Sequence, residues 1–208
     1  MRIADFNLQL ATYAHSSWAG ELATNADAQG WRSNRVVSRI LAYHAGVLDV
    51  HDWRMEEQSK RIFLMDVDDV QRLALELGVS LQREHLAVQV RRERVLAMRA
   101  AFGEELMSFL YDEVPASLPF APSGPPKANG LDAGELRQQA GRLGAQALLA
   151  LLGADWMAVK RRAVLMFDRS WNLDSKAEGL SGRSHKTLLS FVVEKLITKR
   201  LPQWQWLY

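Results

Sequence analysis

His44, Asp49, His51 and Asp52 fall within nine residues of one another, and two imidazoles with two carboxylates are a ligand set that zinc or iron accepts. The spacing argues against a centre of that kind. His44 and His51 lie seven apart across Gly46, without the four-residue interval that sets two histidines on one helix face. His15, His85 and His185 stand alone, and a helix end carrying surface imidazoles accounts for the cluster. Ser181 and Ser184 sit in Leu180-Ser181-Gly182-Arg183-Ser184, which is neither a nucleophile elbow nor a phosphate loop with its lysine. Arg83, Arg91, Arg92, Arg94 and Arg99 crowd the polar side of one segment, and Trp171, Trp204 and Trp206 accompany a basic C-terminal third. Phosphate contact and base stacking are the chemistry that such residues offer nucleic acid. Against it stand a net charge of only +2 and the lack of a helix-turn-helix or aromatic-sheet signature.

A second enzymatic candidate is the apolar run Ile62-Phe63-Leu64-Met65 followed by Asp66-Val67-Asp68-Asp69-Val70. It resembles the first motif of haloacid-dehalogenase phosphatases, and that resemblance implies Asp66 as nucleophile and Asp68 as acid/base beside magnesium. The reaction also needs a lysine and a downstream acidic pair on strand ends of a parallel sheet. No alternation of strands and helices supplies them, and an acidic first turn of a helix explains the same residues.

The elements that position these groups read as helices. Residues 31–47 place Val36, Val37, Ile40 and Leu41 at helical spacing, with His44 or Ala45 next and Gly46 near the end. Residues 67–77 keep the three-four rhythm through Val70, Leu73, Ala74 and Leu77, with acids at the start and Gly78 at the stop. Ser80 reads as the N-cap of a third helix through Leu81, Val88 and Val95, and residues 101–111 as a fourth helix or its continuation. Residues 112–134 hold five of the six prolines, with Gly124, Gly130 and Gly134, and break regular structure. Beyond them Leu136, Ala140, Leu143, Ala147 and Leu151 mark one helix face whose Gly141 and Gly144 suggest close packing. Asp155 is a candidate cap, residues 162–167 fit a short strand or a buried helix, and Ser184 opens a last helix with Leu188, Val192 and Leu196 inward and Pro202 as stop.

The chain of 208 residues is thus expected to be mainly α, a single helical domain over 1–208 with about six to eight helices and room for one or two short strands. Its helical parts are 1–111 and 135–208, and the proline-rich loop 112–134 joins them. The absence of cysteine excludes a disulfide scaffold, a thiolate zinc site and a cysteine nucleophile. Asp5, Asn7 and Gln9 interrupt any apolar signal core, and residues 145–154 are too short an apolar stretch to span a bilayer, so neither export nor a membrane span is expected. Charge is uneven: residues 49–76 carry eight acids against four bases, and residues 158–200 ten bases against four acids. These faces either pair with one another or engage partners, and Trp204 and Trp206 either pack the tail on the core or form a docking peptide.

Several features in order carry a resemblance: Phe6-x-Leu8-x-Leu10 with Tyr13 and His15, an apolar helix ending Leu77-Gly78 ahead of Leu81 and a basic helix, and then the proline-rich interruption. A small-residue helix with Trp156 and a basic apolar run follow, and then Lys195-Leu196-x-x-x-Arg200-Leu201-Pro202. Together they resemble the accessory protein of the type III secretion sorting platform, the SctK/YscK/PscK family, along nearly the whole chain. The acidic helix at 67–77 and the tryptophan-rich tail depart from its pattern. The resemblance implies a non-enzymatic, cofactor-free adaptor on the cytoplasmic side of the injectisome. It would link the cytoplasmic domain of the inner-membrane ring protein (SctD-like) to the pod protein (SctQ-like), and through it to the ATPase and its linker, peripheral to the inner membrane. On that reading Arg91, Arg92, Arg94, Lys160, Arg161 and Arg162 face one partner and Asp66, Asp68 and Asp69 another. The alternatives are a secretion chaperone or regulator, and a basic helical nucleic-acid-binding protein.

Overall fold

Apolar residues recurring every three or four positions, punctuated by glycine and proline, fold here as helices. The computed structural model describes residues 1–18, 35–120, 132–153, 156–174, 179–180 and 182–208, and every regular element among them is helical. In chain order these are α1 (Ile3–Leu8), α2 (Leu10–Tyr13), α3 (Arg35–His44), α4 (Gln58–Arg61), α5 (Val67–Leu81), α6 (Arg83–Ala87), α7 (Arg92–Phe102), α8 (Glu104–Asp112), α9 (Ala133–Ala150), α10 (Met157–Val164), α11 (Gly182–Phe191) and α12 (Thr198–Arg200). Seven of them have eight residues or more. A π-helical turn, Val192–Ile197, joins α11 to α12 without a break.

The chain divides into two compact units. The first comprises Met1–Gln71, Leu149–Leu180 and Trp206–Tyr208. Its core gathers Phe6, Leu10, Leu41, Ile62, Phe63, Met65, Val159 and Phe167. On α3 the inward face is Val37, Ser38, Leu41 and Ala42, while Val36 points out. Ser38 explains that choice: its hydroxyl accepts from the backbone N–H of Ala11 at 3.1 Å, satisfying a first-turn donor of α2 that no side-chain cap serves. Residues 162–167, open between strand and helix by periodicity, are the end of α10 and the turn after it.

The second unit comprises Arg72–Leu148 and Ser181–Gln205. Here α5 runs past Gly78 to Leu81, so that glycine is a contact and not a stop. A Cβ on Gly78 would lie 1.8 Å from the Ala140 carbonyl oxygen, and one on Gly144 1.7 Å from that of Ala74. Helices α5 and α9 therefore touch backbone to backbone, which is the close packing that the small residues of α9 suggest. Ser80 is no N-cap: it lies within α5 and its hydroxyl donates to the Glu76 carbonyl at 2.8 Å. The expected third helix is divided at residues 88–91, and Gly103, at φ +80 and ψ 158, separates α7 from α8 in a backbone region that only glycine adopts without strain. Asp132 caps α9, accepting from the N–H groups of Gly134 and Glu135, both at 3.3 Å. Ser184 lies inside α11, which is under way at Gly182. Leu188, Val192 and Leu196 are fully buried, as the spacing predicts, and Leu201 and Pro202 follow the helix end. Asp155 and residues 19–34 and 121–131 lie outside the described residues.

Candidate functional site

The residues singled out by sequence separate into those that fasten the protein together and those left at its surface. Lys160 and Arg162 belong to the first group, which corrects their placement on a basic partner-facing surface: they are 1% and 0% exposed. Arg162 donates to the carbonyls of Val47, at 3.2 Å, and Val50, and on its own helix to that of Ala158 at 3.3 Å. Its neighbour Arg161 reaches the Gly46 carbonyl at 3.0 Å. Two consecutive residues of α10 thus pin the loop that follows α3. Burial holds the pKa of the Lys160 ammonium below its usual value, opposed by the Asp174 charge.

The histidine and carboxylate cluster does not converge. Asp52 takes Lys60 Nζ at 2.9 Å, and its backbone pairs twice with the Asn7 amide. The His51 ring stacks near Trp53 and His44 lies edge-on to Tyr43. Among the described residues no group of three or more His, Asp or Glu is placed to hold a metal ion. The run at 62–65 is a buried helical turn, and Asp68 and Asp69 occupy the first turn of α5, where the helix dipole favours them. Asp66 and Asp68 are exposed and line a groove of about 470 Å³ with Met1, Asp5, Gln9 and Thr12. The N-terminal amine lies 3.7 Å from Asp66.

Three bases near the end of the chain are paired within the second unit. Glu113 receives Lys195 at 3.0 Å and Lys199 at 2.7 Å, and those hydrogen bonds hold its carboxyl below the usual range. Arg200 donates to the buried Glu76 twice at 3.2 Å and to Glu105. Burial pulls the Arg200 pKa down, but the Glu76 and Glu105 carboxylates outweigh it and raise it. Trp204 is 9% exposed and packs the tail, which removes it as a docking side chain, whereas Trp206 is 72% exposed.

Among the described residues, one surface on each unit combines exposed apolar side chains with nearby charge. On the first, Arg61 gathers three carbonyls, donating to Met55 at 2.9 Å, Glu56 at 3.0 Å and Leu207 at 2.8 Å. That guanidinium fixes the segments carrying exposed Trp53 and Trp206, and Val50, Asp49, Glu56 and Glu57 are exposed close to Trp53 in sequence. On the second, the elbow between α6 and α7 exposes Val88 at 69% and Val90 at 89%, directly before exposed Arg91 and Arg92. Arg94, half-exposed, donates to the Gln89 side chain at 2.8 Å, and Gln89 donates to the His85 carbonyl at 3.0 Å. Sequence reasoning missed Val90 and Trp53. The signal for Val90 was present: valines two apart break the helical period just ahead of an arginine pair.

These surfaces offer apolar contact and charge, the means of protein recognition. Compared with family models, curated proteins and solved structures, the chain finds no match in any of the three. No helix among the described residues is long and apolar enough to cross a membrane.

Proposed function

We propose that the chain is a non-enzymatic adaptor that binds two protein partners, one through each unit. The observation that carries this reading is a division of labour among polar groups. Buried Lys60, Glu76 and Arg162 and half-buried Arg200 make internal bonds, while large apolar side chains stand exposed beside charges on each unit. Exposed tryptophan and arginine are the residue types that dominate binding energy at protein interfaces. The resemblance in residue order to the type III secretion sorting-platform accessory proteins supplies the partners: the SctD-like ring protein's cytoplasmic domain and the SctQ-like pod protein. The setting would be the cytoplasmic face of the inner membrane.

Purified chain immobilised on a sensor should bind each of these partners. Trp53→Ala with Trp206→Ala should weaken one contact by about tenfold and leave the other, and Arg91→Glu with Arg92→Glu the reverse. Capture of neither partner would reject the assignment.

A further inference from the structure

We infer that the elbow between α6 and α7 is the docking site for an acidic, amphipathic segment of a protein partner; this deepens the adaptor reading and rests on it. Val88 and Val90 face water from a turn that is braced, because Arg94 on α7 holds Gln89, which holds the His85 carbonyl of α6. A side chain presented by a fixed turn loses little freedom on binding, so its apolar surface is available at low entropic cost. The outer face of α7 continues the pattern. Arg92, Leu96 and Arg99 follow one another at successive turns, all exposed, placing one aliphatic residue between two cations.

Charge selects the occupant. Between Arg83 and Arg99 five arginines stand against Glu84 and Glu93. Two of the five are engaged at home, Arg83 on the Leu110 carbonyl and Arg94 on Gln89, and Arg99 makes only an exposed pair with Glu104 at 3.4 Å. Arg91 and Arg92 make no ion pair among the described residues, so an incoming carboxylate has two cations to meet. The exposed apolar groups are aliphatic and have no π-face to stack on a base, which favours a peptide with its own apolar stripe over a single-stranded nucleic acid.

The test uses the full chain and a designed helical peptide of about 18 residues, leucines on one face and glutamates on the other, followed by fluorescence anisotropy. Binding should saturate and weaken by about tenfold or more in V90D and in R91E/R92E, while the exposed-site control Val36→Asp retains it. Circular dichroism should show all three variants folded, since each site is exposed. A peptide of the same composition with its leucines dispersed should bind about tenfold more weakly. Equal binding of the dispersed peptide, or wild-type affinity in V90D, would overturn the inference. So would displacement of the peptide by oligothymidine or by phosphatidylglycerol vesicles with the same dependence on Val90. If the peptide binds as expected but neither secretion partner is captured, the adaptor assignment fails and the elbow stands. Capture of both partners with no peptide binding rejects the elbow as a docking site and leaves the adaptor assignment in place.

Discussion

A guanidinium without access to water must find its acceptors inside the protein, and Arg162 finds them in the carbonyls of Val47, Val50 and Ala158. The charge is costly to bury, and what it supplies is a fixed loop after α3. Replacing Arg162 with methionine keeps most of the volume but takes this donor from the Val50 carbonyl and leaves the Val47 carbonyl only its 3.3 Å bond from the Val50 N–H, so unfolding in urea should show a loss of about 1–3 kcal/mol. Stability equal to the parent would mean that the carbonyls are satisfied otherwise. Asp52 makes a separate prediction about pH. Burial pushes its carboxyl up, but hydrogen bonds from Lys60 and the Arg54 backbone, with the charges of both residues, hold it below 3.8. A carboxyl that is more acidic folded than unfolded adds stability above its unfolded pKa, and loses it as pH falls through the folded value. Thermal melting should therefore decline below about pH 4, and Asp52→Asn should flatten part of that decline while lowering stability at neutral pH. An unchanged slope in the variant would remove Asp52 from the acid response. None of this residue-scale detail was legible in sequence, where Lys160 and Arg162 look like any other surface bases. A run of Lys-Arg-Arg carries no mark of which member turns inward, because the acceptors are backbone carbonyls more than a hundred positions away.

At the scale of elements, the glycines of α5 and α9 set two effects against each other. Alanine at Gly78 or Gly144 should improve helix propensity by about 1 kcal/mol. Each new Cβ, however, would lie within 2 Å of a carbonyl oxygen on the facing helix, so the pair must separate and lose its backbone contact. Overpacking of that kind costs about 3 kcal/mol or more, and it wins. Melting of either single variant should fall by roughly 5–10 °C, and a rise would show that the helices do not approach so closely. Much of this level was readable: periodicity located α3, α5, α9 and the inward face of α11, and it marked the small-residue side of α9 for close packing. Where reading failed, tertiary contacts had overridden a local signal. Gly78 looks like a helix stop until a neighbouring backbone requires it, Ser80 looks like a cap until its hydroxyl turns back to Glu76, and Val36 looks buried until Ser38 claims the inner face. The heptad of Leu81, Val88 and Val95 suggested one helix, but the chain turns at 88–91 and leaves Val88 in water.

For the molecule as a whole, a net charge of +2 conceals a division among the bases between those paired at home and those left exposed. The C-terminal bases Lys195, Lys199 and Arg200 are paired with Glu76, Glu105 and Glu113, so their reach beyond the second unit is reduced. Arg91 and Arg92 are exposed and keep theirs. Exposed charges act chiefly on encounter, whereas apolar side chains buried by docking act on residence time. The two parts of the elbow should consequently separate in kinetics with an acidic partner. R91E/R92E should lower the association rate by about tenfold at low salt, and the difference from wild type should shrink as ionic strength rises and the screening length falls below about 10 Å. V90D should leave association less affected and quicken dissociation, with little dependence on salt. Stopped-flow measurement across a salt series reads both quantities on the same samples. If the arginine reversal acted only on dissociation, these charges would be direct contacts in a desolvated interface and steering would have to come from elsewhere. If V90D slowed association as much as the arginine reversal does, its added negative charge would be the cause, and the neutral Val90→Ser would then decide whether apolar contact contributes at all.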